Sequence, residues 1–253
     1  DPSAIALDGF QIFFEERRPF FVENKNIFDF KVSQSQAGNT FGSDNIFYSR
    51  RIGRSPQGYP DTLDDEFVDQ PDNTAIIGAA KFSGKTKNGW AIGVLESVTA
   101  QRTATILNGD GDTRKEMVEP LTNYFVGRLQ KDFNQRNSYI GGIFTATNRE
   151  QIPEQLNFLH DAAYTGGLDF KHQWANRDWY LGGNITMSHV RGSESAITNT
   201  QESITHLFNR VGADHVKVDT MRTSLTGTGG NVQIGKVGNG HWKFESGGTW
   251  RSP

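Results

Sequence analysis

In NGDGDTRKEMVE, residues 108–119, the oxygen-bearing side chains of Asn108, Asp110 and Asp112 fall at alternate positions, and Glu119 stands twelfth. A calcium loop places ligands at positions one, three and five and a bidentate carboxylate at twelve, so the spacing half-fits calcium. Thr113 stands where the sharp turn of such a loop needs glycine, and no flanking helices are expected. The preferred reading is a polar loop between strands, rich in Asp and Gly because these residues favour turns. Calcium at Asn108, Asp110, Asp112 and Glu119 is the alternative, and no other cofactor or metal is expected.

Arg50, Arg51 and Arg54, in YSRRIGR, form the densest basic cluster. Guanidinium forks suit bidentate binding of carboxylate or phosphate, which makes sugar acids or lipid phosphates candidate ligands. The competing reading is a charge network in a polar barrel interior, paired with acids such as Glu15, Glu16 or Asp169. Arg128, Asp132, Asp169, Lys171, Lys243 and Glu245 share the polar parity of their strands and would complete that network. The candidate binding residues are therefore Arg50, Arg51, Arg54, Arg128, Asp169 and Lys171.

Other chemistry finds less support. His160, His172, His189, His206, His215 and His241 are scattered, without the paired helical spacing of a metalloprotease. His160 and Asp161 are neighbours in LHDAAY, but no serine sits in a strand-to-helix elbow to complete a hydrolase triad. GTGG at 227–230 lacks the context of a nucleotide loop and reads as strand or turn. A carboxylate pair for glycoside hydrolysis stays open, because its separation is spatial. Cysteine is absent, which excludes disulfides and thiol chemistry, and a net charge of −3 gives no footprint for nucleic acid, which is not expected as a partner.

The elements that must position these residues are strands. KTKNGW, FNQRN, WANRDW and VGNGHW, at 85–90, 133–137, 174–179 and 237–242, read as hairpin turns. Around the third, Tyr164, Gly166, Leu168, Phe170 and Trp174 share one parity, and Thr165, Asp169, Lys171 and Gln173 the other. Past the turn, Trp179, Leu181, Gly183, Ile185 and Met187 continue the apolar face. Phe125, Leu129 and Phe133 oppose Arg128, Gln130 and Asp132 in the same way, and Ile140, Phe144 and Ala146 make the better apolar set of their strand. Glu96 falls on the apolar parity of Trp90, Ile92, Val94 and Val98, as either a bulge or an outward acid.

Long connections, expected near 107–121, 148–162 and 190–221, alternate with the short ones. That layout, with apolar-out alternation, is the layout of a transmembrane β-barrel with short periplasmic turns and long extracellular loops. Trp90, Trp174, Trp179 and Trp242 lie near short turns and would form one aromatic girdle; Trp250, Tyr124 and Tyr164 would form a second at the other end. The expected fold is all-β, an antiparallel transmembrane barrel of which about eight strands are visible. Residues 1–75 are read as a linker, a lumenal segment or an added strand, followed by a lead-in strand in NIFYSRRIGRSPQGYP; residues 76–253 are the N-terminal part of the barrel.

The strings FFEERRPFFVENKNIF, FYSRRIGRSPQGYP, GAAKFSGKTKNGWAIGVLESVTA, EPLTNYFVGRLQKDF, FLHDAAYTGGLDFKHQW and MRTSLTGTGG cover nearly the whole chain. Together they resemble the DUF5916 family, an outer-membrane β-barrel domain common in Bacteroidota that usually follows a family-nine carbohydrate-binding-like domain. The resemblance implies that this chain is an internal fragment, with that domain before Asp1 and further strands after Pro253. It implies no catalytic residue. The expected location is the cell outer membrane, the expected partners are its lipid and, through the other domain, glycans, and the expected work is surface handling, docking or transport of glycan-related material. A membrane-anchored carbohydrate-active hydrolase and a soluble carbohydrate-binding β-sandwich are the alternatives.

Overall fold

The computed structural model describes residues 14–33, 45–203, 205–206, 208–212 and 214–252. Phe13, the first residue of FFEERRPFFVENKNIF, lies outside the described residues. The fold is all-β and antiparallel. One sheet has eight strands in the order β2-β3-β6-β7-β8-β9-β10-β11, and a smaller sheet has the order β1-β4-β5. The strands of the large sheet are β2 (Ile76–Lys85), β3 (Trp90–Thr99), β6 (Thr122–Phe133), β7 (Ser138–Arg149), β8 (His160–Trp174), β9 (Trp179–Gly192), β10 (Ser224–Lys236) and β11 (Phe244–Arg251). The sheet is open, with β2 and β11 as its edges.

All four expected hairpin turns are present, and sequence parity becomes a difference between two faces. Arg128, Asp169 and Asn184 point to one face, Leu129, Leu168 and Ile185 to the other; Leu168 pairs with Ile185 and Asp169 with Asn184. Ile140 likewise pairs with Phe170, and such apolar neighbours are what cross-strand packing rewards. The β3–β6 ladder runs unbroken from Trp90↔Lys131 to Thr99↔Thr122, so no bulge re-aims Glu96. It lies on the apolar parity as an acid and accepts a hydrogen bond from Asn123.

Two of the long connections hold regular structure rather than plain loop. Residues 102–119 form a hairpin of β4 (Arg102–Leu107) and β5 (Thr113–Glu119), joined at its side by β1 (Phe67–Asp69). Ala104, Ile106 and Val118 bury one side of it. The third long connection contains helix α2 (Glu194–Glu202), whose N-cap Ser193 accepts a hydrogen bond from the Ala196 amide at 3.0 Å. Its buried Gln201 then clamps the returning chain, donating to the Asp219 carbonyl at 2.9 Å and accepting from the Asp219 amide at 2.8 Å. Among the described residues no helix is long and apolar enough to cross a membrane, which says nothing of crossing by strands.

Residues 45–58 do not form the expected lead-in strand. Ser49–Arg51 is a 3-10 turn, followed by Gly53 at φ +81°. Pro56 and Pro60, which have no backbone donor, disfavour a ladder there. Residues 14–33, with helix α1 at Pro19–Val22, lie across the polar-parity face of the large sheet. There Phe21, Phe28, Phe30 and Ile52 pack with Leu95, Val126 and Ile143 into the main apolar cluster. The sheet thus has a covered face, carrying this segment, and a bare face.

Candidate functional site

The covered face is where charge and packing converge. Arg128 on β6 and Asp169 on β8 are separated by a whole strand, β7, on which Gly141 pairs with both Gln130 and Asp169. A Cβ on Gly141 would lie 2.7 Å from a guanidinium nitrogen of Arg128 and 2.7 Å from a carboxylate oxygen of Asp169. Only a glycine leaves the gap through which the two side chains meet. They meet as a fork, at 2.6 and 2.8 Å, with the Arg128 side chain 3% and the Asp169 side chain 13% exposed. Two parallel charge-assisted bonds offset the desolvation that so enclosed a pair suffers.

The pair is one link in a longer chain. Arg128 also donates to Gln130 at 3.3 Å, Gln130 to Asp132 at 2.9 Å, and Lys85 to Asp132 at 2.5 Å. Lys171 lies on the same face but joins a different group, with its ammonium 5.1 Å over the Tyr180 ring and the Tyr180 hydroxyl donating to Glu245. Lys243, expected in the network, precedes β11 and is exposed.

The N-terminal segment is fastened to this face almost from edge to edge. Lys81 on β2 donates to the carbonyls of Phe20 and Glu23. The Phe30 ring lies 5.3 Å from the Arg128 guanidinium and fills the space above Gly167, where a Cβ would come within 2.6 Å of it. Asn184 on β9 donates to the Lys31 carbonyl at 2.7 Å, and Asn231 on β10 to the Val32 carbonyl at 2.5 Å. Arg251 on β11 reaches the Ser33 hydroxyl at 3.4 Å.

The arginines sit elsewhere, Arg50 and Arg51 within the 3-10 turn and Arg54 just beyond it. That turn is held by Arg18, which donates to the carbonyls of Ile52 at 2.6 Å and Ser49 at 2.9 Å. Glu16 holds Arg18 in turn, through two bonds of 2.9 and 2.7 Å, and accepts from the Ser49 hydroxyl at 2.6 Å. Burial would raise the Glu16 pKa, but the Arg18 side chain, the Ser49 hydroxyl and the Arg18 amide outweigh it and lower it to about 2. The expected pairing of Arg50, Arg51 and Arg54 with Glu15, Glu16 or Asp169 is not what forms. Arg50 donates to the main-chain carbonyl of Glu15 at 3.0 Å, Glu16 is taken by Arg18 two residues on, and Asp169 by Arg128. A close neighbour in the chain, and a neighbour in register, each hold the acid first.

The calcium alternative does not assemble. Asn108 and Asp112 close the β4–β5 turn, with the Asn108 side chain accepting from the Asp112 amide at 2.8 Å. Glu119 lies at the far end of β5, about 23 Å along an extended strand. There it is 2% exposed and accepts from the Gln57 amide at 2.8 Å. Tyr124, expected in the outer girdle, faces the covered side instead, packed against the apolar cluster.

The bare face has the opposite chemistry. Ile140, Leu168, Ile185 and Met187 are between 54% and 60% exposed, beside Phe82, Leu129, Phe144 and Phe170. Between them Gly127, Gly142 and Gly166 floor a mostly apolar depression walled by Val94, Leu129, Phe144, Leu168, Ile185 and Met187. Near the short turns an aromatic row crosses the strands: His172 stacks on Trp174 at 5.7 Å, Trp174 on Trp179 at 6.2 Å, and Trp179 meets Phe244 edge-on at 5.3 Å.

A family model described as a domain of unknown function, DUF5916, matches residues 1–245. The chain belongs to that family. No curated protein matches the DUF5916 chain, and no solved structure does.

Proposed function

We propose that this DUF5916 domain is part of an integral outer-membrane β-barrel, with its bare face towards lipid and its covered face towards the interior. The observation that carries the reading is the bare face itself. Isolated exposed apolar residues are normal on any protein, but a contiguous apolar surface across every strand of a sheet needs an apolar partner. Three features support lipid as that partner. Strands β6 to β10 have 12 to 15 residues, more than the 9–11 that cross a bilayer when tilted. The row of Trp174, Trp179 and Phe244 lies where an interfacial belt would lie. Short turns at one end and long, structured connections at the other match the asymmetry of outer-membrane barrels. The open edges β2 and β11 are where closure would be completed by further strands.

Its work, on this reading, is docking or surface handling of glycan-related material at the long-loop end. The glycan part rests on the resemblance to barrels that follow a carbohydrate-binding-like domain. An interior face covered by residues 14–33 favours surface handling over free passage. The hydrolase alternative is weaker, because both carboxylate oxygens of Asp169 are engaged by Arg128. The test is heat-modifiable gel migration and detergent partitioning of the full-length protein. A faster-migrating unheated band and recovery in the detergent phase are expected; a single band and recovery in the aqueous phase would overturn the reading.

A further inference from the structure

At the long-loop end, the turns and ladders bring together arginines from three distant stretches of the sequence: Arg51 with Arg54, Arg102, and Arg149. Arg149 on β7 is paired with Thr122 on β6, three residues after Glu119. Arg102 on β4 is paired with Glu119 itself. Arg54 is tied to the same corner because its carbonyl accepts from the Thr74 amide at 2.9 Å, while Ala100 beside β4 donates to Ala75 at 2.8 Å. Tyr124 lies among them, interacting electrostatically with Arg54, Arg149 and Glu119. Arg51 interacts with both Arg54 and Tyr124.

Around Arg149 the carboxylates are Glu119 and Asp161, Arg54 is a like charge, and Arg149 also donates to the His160 carbonyl at 2.7 Å. Glu119 is moreover occupied by Gln57, through its amide at 2.8 Å and its side chain at 3.1 Å. The Nε–H groups of Arg54, Arg102 and Arg149 are buried and meet no acceptor among the described residues. Arg51 keeps an exposed surface, yet the protein crowded around its guanidinium, followed by the like charge of Arg54, holds its pKa below the usual arginine value. Charges removed from water are ordinarily paired, and a donor left without an acceptor is costly.

We propose that Arg51, Arg54, Arg102 and Arg149 form a binding site for a divalent tetrahedral oxyanion, a phosphate group, presented at the long-loop end. A phosphate supplies negative charge for the clustered cations and enough acceptor oxygens for several guanidinium donors, including the unpartnered Nε–H groups. Tyr124 adds a hydroxyl to the same site. The phosphate could be carried by a soluble ester or by a lipid headgroup, and the chemistry that recognises it is the same. The site does not depend on the membrane reading, since phosphate binding is measured whichever solvent the bare face meets.

The test is calorimetric titration of the full-length protein in detergent with inorganic phosphate, and in parallel with phosphatidate in mixed micelles, at constant ionic strength. Saturable binding of phosphate is expected, with Arg54→Gln and Arg102→Gln each weakening it roughly tenfold or more, the weight of one lost charge-assisted hydrogen bond. Arg114→Gln, on the exposed side of the β4–β5 hairpin, should leave it unchanged. Phosphatidate that binds and is displaced by free phosphate would assign the site to a headgroup; phosphatidate that does not bind would assign it to soluble esters. Without phosphate, Arg54→Gln should unfold at the same or a higher temperature than the parent, because repulsion among the arginines is relieved. No saturable binding of either probe, binding indifferent to both substitutions, or an Arg54→Gln variant that loses stability together with binding would overturn the proposal.

Discussion

The two faces of the large sheet are made by the same strands and differ in what their glycines do. On the covered face Gly93, Gly141 and Gly167 lie beneath other atoms: the ring of Phe28 stands 2.9 Å from where a Cβ of Gly93 would be, and that of Phe30 2.6 Å from a Cβ of Gly167. On the bare face Gly78, Gly84 and Gly248 have nothing within 4 Å of such a Cβ. One set of glycines makes room for a particular segment of chain. The other leaves its surface shallow at those three positions, with no group among the described residues to fill them, although Gly230 on the same face lies under the Trp250 ring. The covered face is specified residue by residue, whereas the bare face is specified only in polarity, which is what a solvent, lipid in our reading, requires.

That contrast can be broken most severely at the ion pair. Arg128→Ala leaves Asp169 enclosed and unpaired and should cost roughly 3–5 kcal/mol of unfolding free energy. Leu129→Ala, one residue along on the bare face, should cost less than half as much in urea unfolding of the micelle-bound protein. Next in size is Leu168→Arg. On a lipid-facing surface it should cost about 2–4 kcal/mol in bilayers, whereas on a watered surface it would stay within about 0.5 kcal/mol.

These contrasts were unevenly legible in the chain. The four turns and the parity of the large sheet's strands are local signals, set by Gly, Asn and Asp at hairpin positions and by period-two alternation, and they translate directly. The Arg128–Asp169 pair was legible only as shared polarity, since the two are 41 residues apart and meet through the register of a third strand. Nothing local marks Gly141 as the residue that lets them meet. Tyr124 sits near a strand end, as a girdle residue would, but it shares the even-numbered parity of Arg128 on the same strand, and that parity sets its face. The β4–β5 hairpin shows only in the alternation of Ala104 and Ile106 with Thr103 and Thr105, a weaker signal than the Asn108, Asp110 and Asp112 spacing of its turn. Arg102 and Arg149 carried no signal at all, for they join Arg54 only once the long connections fold.

A smaller effect separates the faces by volume. Gly167→Val should cost about 1–3 kcal/mol by displacing Phe30, whereas Gly84→Val should be close to neutral. The smallest concerns pH and the segment's anchor. The folded-state pKa of Glu16 lies at about 2, below its unfolded value near 4.5, so its contribution is fully present above the unfolded value. It is lost as pH falls through about 2. Protease protection of residues 14–33 should therefore weaken as pH is lowered across that window, and Glu16→Gln should show a flatter dependence across it.

The most direct test labels Leu168, Asp169, Phe170 and Lys171, one at a time through introduced cysteines, in the full-length protein reconstituted in lipid. Spin labels at 168 and 170 should be relaxed by oxygen dissolved in the bilayer, and those at 169 and 171 should be either shielded or reached from water. Water accessibility at 168 and 170 would contradict the assignment of the bare face to lipid.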